Sequence, residues 1–346
     1  MKKGDVINGF RILEDFKVVG GMSKISFAER GGKEYFIKEF LSPKYPTPEA
    51  PGSEKIKEQK RKACEAFEKH HQEINNLIGE KVSLGGNLVY AVAFFRNGTS
   101  YYKVNERIDT SSLTIDEICH LSVENIFIIA RSVCKSLGIL HDIGIVHGDL
   151  KPDNILIKRT SEKIFTGKLI DFDDSYFSEN PPKDREAIVG TPEYYSPELA
   201  EYIMDEDDEV SGKTLTLASD IFTLGIILCE YFTGAKPQIK SGEPLWKAIK
   251  EGETLSFAKK LPIEIEKLLL SMMSLNSAER PSIKKILNDL RNIKVTAPET
   301  PKPAPGKGGL KGKGLEIASG KTEIESRVGL VTGKAGGLRG KGLKIK

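Results

Sequence analysis

The chain has 346 residues, 39% hydrophobic and 29% charged, which suits a globular domain of nearly 300 residues plus an appendage. Its net charge of +3 conceals an imbalance: from Thr296 onward 11 Lys/Arg face 4 Glu, a surplus of +7 that leaves about −4 on residues 1–295. Four scattered cysteines without a CxxC pair speak against a disulfide scaffold, MKKGDVINGFRILEDF lacks the apolar core of a signal peptide, and the most apolar run, 221–229, is too short for a membrane span, so a soluble, cytoplasmic chain without membrane contact is expected.

Five strands are predicted first, at Phe10–Leu13, Lys24–Glu29, Tyr35–Phe40, Leu88–Phe95 and Ser100–Ile108, from β-branched and aromatic runs broken by Gly and Asn. Between the third and fourth, the Pro-rich stretch 43–52 predicts a loop leading into a Lys/Glu-rich helix, Glu54–Ile78. Beyond residue 115, apolar recurrence every three to four residues predicts helices at Val123–Leu140, Leu217–Phe232, Ile263–Met273 and Ser282–Ile293. A β-rich part (1–108) and a helical part (109–295) imply an α+β architecture of two lobes with a cleft between them. After Ile293 the texture breaks into a Pro-rich linker and a basic Gly/Lys-rich tail, 296–346, in which a ten-residue segment (308–317) recurs at 336–345. A disordered extension is expected there, and nucleic-acid binding is disfavoured because the tail has no aromatic residue to stack a base.

The residues with chemical potential fall in a telling order. Gly20-Gly21-Met22-Ser23, between two predicted strands, could let backbone approach an anion. Lys38 ends Tyr35-Phe36-Ile37-Lys38. His147-Gly148-Asp149-Leu150-Lys151-Pro152-Asp153-Asn154 sits between two apolar runs, where its charges are hard to explain as core packing. Asp171-Phe172-Asp173 follows a strand-like Lys168-Leu169-Ile170. Gly190-Thr191-Pro192-Glu193-Tyr194-Tyr195-Ser196-Pro197-Glu198, Ser219-Asp220 and Ala278-Glu279-Arg280-Pro281 complete the series. Phosphoryl transfer from ATP needs a phosphate cover, a positioned cation, metal ligands and a proton acceptor, and each has a candidate here.

In that order these motifs resemble the eukaryotic-like (Hanks-type) serine/threonine protein kinase family, with bacterial members in view, over about residues 8–293. The resemblance implies the bilobal kinase fold, with ATP and Mg²⁺ (or Mn²⁺) as cofactors and a Ser/Thr-bearing protein as substrate. It implies that Gly20, Gly21, Met22 and Ser23 cover the phosphates, that Lys38 contacts the α- and β-phosphates, and that Glu106 and Ile108 join the nucleotide site. Asp149 would accept the hydroxyl proton, Lys151 would steady the transferred phosphate, and Asn154 and Asp171 would hold metal. The carboxylate partner of Lys38 is expected to be Glu73, with Glu68 as the alternative. Phe172 would pack beneath the Glu73 helix. Thr191 would bond Asp149 and Lys151, Glu198 would pair with Arg280, and Asp220 would brace the catalytic loop.

Four positions depart from the family pattern: Val18, Ser23, Gly148 and Asp173. Asp173 replaces a glycine, and its tolerance of left-handed backbone is the reason offered for the exchange. Gly148 replaces an arginine that usually awaits an activation-segment phosphate, and Glu179–Gly190 contains no Ser, Thr or Tyr. Together these imply a kinase independent of activation-segment phosphorylation, with Ser175, Tyr176 and Ser178 left as modification candidates. An acidic cluster, Asp205–Glu209, and threonines 296, 300, 322 and 332 in the tail suggest interaction sites, the latter for a phosphothreonine-binding partner. The competing reading is a pseudokinase scaffold, and a small-molecule kinase is a third.

Overall fold

Alternating aromatic and aliphatic residues in the first hundred positions build an antiparallel sheet. The computed structural model describes residues 1–19, 23–82, 87–108, 112–161, 163–183, 185, 188, 190–204 and 212–293. Strands β1 (Val6–Ile7), β2 (Phe10–Ile12), β3 (Lys17–Val19), β4 (Ser23–Arg30) and β5 (Lys33–Phe40) come first. Helix α1 (Glu54–Val82) follows, then β6 (Ala91–Asn97) and β7 (Ser100–Glu106). The sheet order is β1-β2-β4-β5-β7-β6, with β3 also paired to β4.

Side chains alternate across each strand. Tyr35 and Ile37 of β5 and Tyr102 and Val104 of β7 therefore join Ile7, Phe10, Ile12 and Ala28 in a core on one face. Phe40 and Tyr101 lie on the other face, packed with Cys64 and Phe67 of α1. Lys38 precedes Phe40 by two positions and Lys103 follows Tyr101 by two, so both lysines share the α1 face.

The fourth predicted strand starts too early. Residues Leu88 and Val89 leave the sheet and bond instead to the second lobe. Val89 N donates to Leu169 O (2.9 Å), and Leu169 N to Asn87 O (3.0 Å). Leu88 is buried in the large helical core, so its apolar side chain serves the lobe junction.

The second lobe opens with α2 (Ile115–Cys119) and α3 (Val123–His141). Thr114 and Glu117 form a capping box for α2, and Ser122 caps α3 by accepting from Asn125 N. Four short strands come next: β8 (Ile145–Val146), β9 (Ile155–Ser161), β10 (Ile164–Leu169) and β11 (Tyr176–Phe177). They pair as β9–β10 and β8–β11 and fix both ends of the loops that carry the site. Helices α4 (Pro197–Met204), α5 (Leu217–Thr233), α6 (Leu245–Lys250), α7 (Ile263–Met272) and α8 (Ile283–Asn292) complete the lobe. Helix α5 is buried from Ser219 to Thr233, as expected of a helix apolar on every side. No helix among the described residues is long and apolar enough to cross a membrane. The tail and the acidic cluster at 205–209 lie outside the described residues.

Candidate active site

The loop between β8 and β9 brings three polar groups, Asp149, Lys151 and Asn154, to one point, where Thr191 meets them. Lys151 Nζ donates to Asp149 Oδ2 (2.5 Å) and to Thr191 Oγ1 (2.9 Å). Thr191 Oγ1 donates to Asp149 Oδ1 (3.0 Å), so both carboxylate oxygens are engaged. Asn154 Nδ2 donates to the Asp149 carbonyl (2.7 Å) and to its carboxylate (3.2 Å). Pro152–Asn154 forms a single 3₁₀ turn, which folds Asn154 back over Asp149.

The loop is braced from below. Asp220, at the start of α5, accepts from the backbone N–H groups of His147 (2.8 Å) and Gly148 (3.4 Å). His141 Nε2 also reaches Asp220 Oδ2 (3.0 Å). His147 is fully buried, which pushes its pKa down. Its Nε2 lies 3.2 Å from Ile170 O, and its ring packs against Phe172 with centroids 5.3 Å apart. Glu198 and Arg280 form a buried bidentate pair at 2.6 and 2.8 Å, with Ser219 Oγ donating to the same carboxylate. Breaking such a pair by removing one partner costs about 3–5 kcal/mol.

The Asp171-Phe172-Asp173 loop lies beside Asp149, and Ile170 N donates to Asn154 O (3.0 Å). Asp171 has left-handed backbone, φ 59°, a strain of about 1–3 kcal/mol that marks functional positions. Phe172 is buried among Ile74 and Ile78 of α1 and the helical core. Lys38 Nζ contacts Asp171 at 3.1 and 3.2 Å and Asp173 Oδ2 at 2.5 Å. Lys103 Nζ donates to the other Asp173 oxygen at 2.6 Å.

Charge and burial compete within this cluster. Burial works to lower the pKa of Lys38, but Asp173 and Asp171 outweigh it and hold the ammonium above its usual range. Burial alone would raise Asp173, yet Lys103 and Lys38 hold its carboxyl well below the usual range. For Asp171, burial and then Asp173 prevail, and its carboxyl is shifted upward.

Three expectations need correction. Lys38 meets neither Glu73 nor Glu68. Glu73 is half exposed and reaches Lys69 (3.7 Å), while Glu68 accepts from Gln72 (3.2 Å). The inward stripe of α1 runs through Cys64, Phe67, His71, Ile74 and Ile78. At ~100° per residue, Glu73 sits about 200° around the helix from His71. Secondly, the left-handed residue of the 171–173 loop is Asp171; Asp173 is not left-handed, and its carboxylate, not its backbone tolerance, is what the fold uses. Thirdly, Ser175 and Tyr176 are buried, and Ser175 Oγ donates to His147 O (2.9 Å). Neither is open to a modifying enzyme in this conformation.

Gly148 has φ 82°, and a Cβ there would lie 2.1 Å from the Asp174 carbonyl oxygen. Backbone therefore packs on backbone where the resemblance implies a long cation. Gly20, Gly21 and Met22 lie outside the described residues; Val19 and Ser23 on either side are paired across β3 and β4. Glu106 ends β7 opposite Tyr35, exposed, and Ile108 follows in the link to the second lobe.

Residues 53–290 match the protein kinase domain model, more than half of the chain. The chain belongs to the protein kinase domain family. The matched part of this kinase domain begins after Lys38, so β1–β5 rest on the structure described above. Serine/threonine-protein kinase PknB of Mycolicibacterium smegmatis is 31% identical over 150 residues, covering 41% of this chain and 21% of the relative. AfsK of Streptomyces coelicolor is 32% identical over 157 residues, 44% and 18% of the two chains. Rabbit myosin light chain kinase 2 is 32% identical over 123 residues, 36% and 18%. The matched stretch thus spans about a fifth of each of these relatives.

The kinase family implies ATP and a divalent cation, and the donor set suits a hard ion. Asp171 offers a carboxylate whose pKa is shifted upward by burial first and by Asp173 second. Asn154 commits its amide nitrogen to Asp149, so it would hold a metal through its amide oxygen. Lys103 and His71, central to the cluster, escaped the sequence reading. Their signals were present: a lone lysine at period two from Tyr101, and a histidine on the apolar stripe of α1.

Proposed function

We propose that this chain is a protein serine/threonine kinase that transfers the ATP γ-phosphoryl group to hydroxyls of protein substrates. The observation that carries the reading is the arrangement of Asp149, with one oxygen to Lys151 and the other to Thr191, beside the loop that holds Asp171. Asp149 accepts the acceptor-hydroxyl proton as the new O–P bond forms and the β–γ bridging O–P bond breaks, and ADP leaves. Lys151 follows the transferred phosphoryl group, and Lys38 orients the α- and β-phosphates. Asp171 and Asn154 hold Mg²⁺ (or Mn²⁺), which when bound offsets phosphate charge. Gly20–Ser23 cover the phosphates, and Glu106 and Ile108 flank the base. The kinase names of the relatives support serine/threonine as acceptor.

The same reading includes activity without activation-segment phosphorylation. Gly148 leaves no arginine to await a phosphate, and its contact with Asp174 ties the catalytic loop to the metal loop directly. Phosphatase treatment should leave activity unchanged; its abolition would sink the idea. The tail threonines 296, 300, 322 and 332 are proposed as autophosphorylation sites for a phosphothreonine-binding partner, in a cytoplasmic setting. Deleting 296–346 should then abolish partner capture and spare catalysis.

Labelled ATP supplied to the protein alone, with a generic protein substrate, and to Asp149→Asn tests the main reading. Label on the substrate that Asp149→Asn abolishes supports it. Nucleotide binding without transfer would instead mark the chain as a pseudokinase scaffold.

A further inference from the structure

Lys38 and Lys103 are direct cross-strand partners on β5 and β7. Their side chains leave the sheet on the same face and are only 17% and 9% exposed. Like charges directly opposite destabilise a strand pair, the more so where water is excluded. Around Lys103 the surroundings give little screening by water. A cavity of about 10 Å³ beside Lys103 is lined mostly by apolar and aromatic groups, His71, Ile74, Ile78, Phe94 and Phe172, with Asn75 as a further polar one. Burial keeps His71 from charging, with its pKa pushed down to about 3. A buried ammonium in such a place must be paired.

Asp173 supplies the anion, one oxygen to each lysine, at 2.5 and 2.6 Å. With Asp171 at 3.1 Å from Lys38, two cations face two carboxylates and the cluster is neutral. Helix α1 contributes no carboxylate to it, since Glu73 points to Lys69. We infer that Asp173 and Lys103 are the positioning residues for Lys38, in place of a helix-borne glutamate. Asp173 orients the Lys38 ammonium, and Lys103 holds the second Asp173 oxygen and so fixes that carboxylate in place. The clamp joins the sheet directly to the metal loop, so displacing α1 does not by itself break it. This rests on the kinase reading for what Lys38 then does, but not for whether the clamp orders the nucleotide site.

The test is MgADP affinity by calorimetry on the full chain, followed by kcat and KM for ATP. Asp173→Asn, and Asp173→Gly with the residue usual in the family, should each weaken MgADP binding at least fivefold and lower kcat/KM at least tenfold. Lys103→Met should do the same, Lys103→Arg should restore binding to within threefold of wild type, and Glu73→Gln should stay within twofold. Because the pair acts as a unit, Lys103→Met/Asp173→Asn should be no worse than threefold below Asp173→Asn alone. A Glu73→Gln loss matching that of Asp173→Asn overturns the inference, and so does wild-type MgADP affinity in Lys103→Met. Should Lys103→Met not fold, wild-type affinity in Asp173→Gly overturns it equally. Wild-type protein that binds MgADP but transfers no phosphate would count against the kinase reading alone, because the binding series is read without transfer.

Discussion

Two polar clusters meet at the cleft, and they are built in opposite ways. Asp149, Lys151 and Asn154 lie within six consecutive positions, folded by one 3₁₀ turn and two flanking strands. Lys38, Lys103 and Asp173 are separated by up to 135 positions and meet only because two strands and a loop converge. In the first cluster local backbone geometry sets which groups touch. In the second, the balance of charge among segments that are distant in sequence sets it. A replaced residue in the first is read as damage, whereas in the second it can be one side of a compensated exchange.

The sharpest way to separate the clusters is Asp149→Asn. It should lower kcat by about 10²–10⁴, the usual range for a positioned acid or base. MgADP affinity should stay within twofold, since Asp149 belongs to the transfer cluster. Stopped-flow or radiometric turnover alongside calorimetry would show this, and a parallel loss of affinity would merge the two clusters.

Gly148→Ala strikes the seam between them. Its Cβ would meet the Asp174 carbonyl at 2.1 Å in a left-handed backbone. Overpacking and left-handed strain together should cost about 2–4 kcal/mol in urea unfolding. Gly144 also has positive φ, 72°, but faces open space, and Gly144→Ala should cost only about 1 kcal/mol. Equal costs would show that the seam yields.

His71→Leu tests the dry wall behind the clamp. Burial lowers His71 to about 3 in the folded chain, against an ordinary 6.5. Below pH 6.5 the unfolded chain takes up a proton that the folded chain refuses. Stability from this group is therefore complete above pH 6.5 and lost as pH falls toward 3. The slope approaches about 1.4 kcal/mol per pH unit. Wild type minus His71→Leu, measured by denaturant unfolding between pH 7 and 4, should show that decline; a flat difference would place the imidazole in water.

The smallest effect belongs to Glu73→Gln. With its carboxylate half exposed and 3.7 Å from Lys69, stability should change by less than about 0.5 kcal/mol. A larger loss would return a helix carboxylate to the comparison.

Much of this was legible in the residues. Periodicity found α3, α5, α7 and α8 and most of the long strands, because their buried faces repeat at the period of the backbone. It does not reach β1, β3, β8 and β11, whose two or three residues carry too little pattern, nor β9 and β10, whose sequences mix apolar residues with Lys, Arg, Thr and Gly. The expectation of Glu73 rests on Leu77 one turn later, whereas the stripe Cys64–Phe67–His71–Ile74–Ile78 sets the inward face of α1 and leaves Glu73 outside it. Asp173 stands where the family has glycine, and only its contacts with Lys38 and Lys103 in the fold show that its carboxylate is used.

The sequence by itself determined the architecture and the Asp149 loop, because hydrophobic period and short-range spacing are properties of neighbouring residues. Only the tertiary structure decided which carboxylate holds Lys38 and why Lys103 exists. Those answers depend on the sum of charges brought together from distant segments into a largely buried space, where each buried charge requires a partner and the partner's place in the sequence is immaterial.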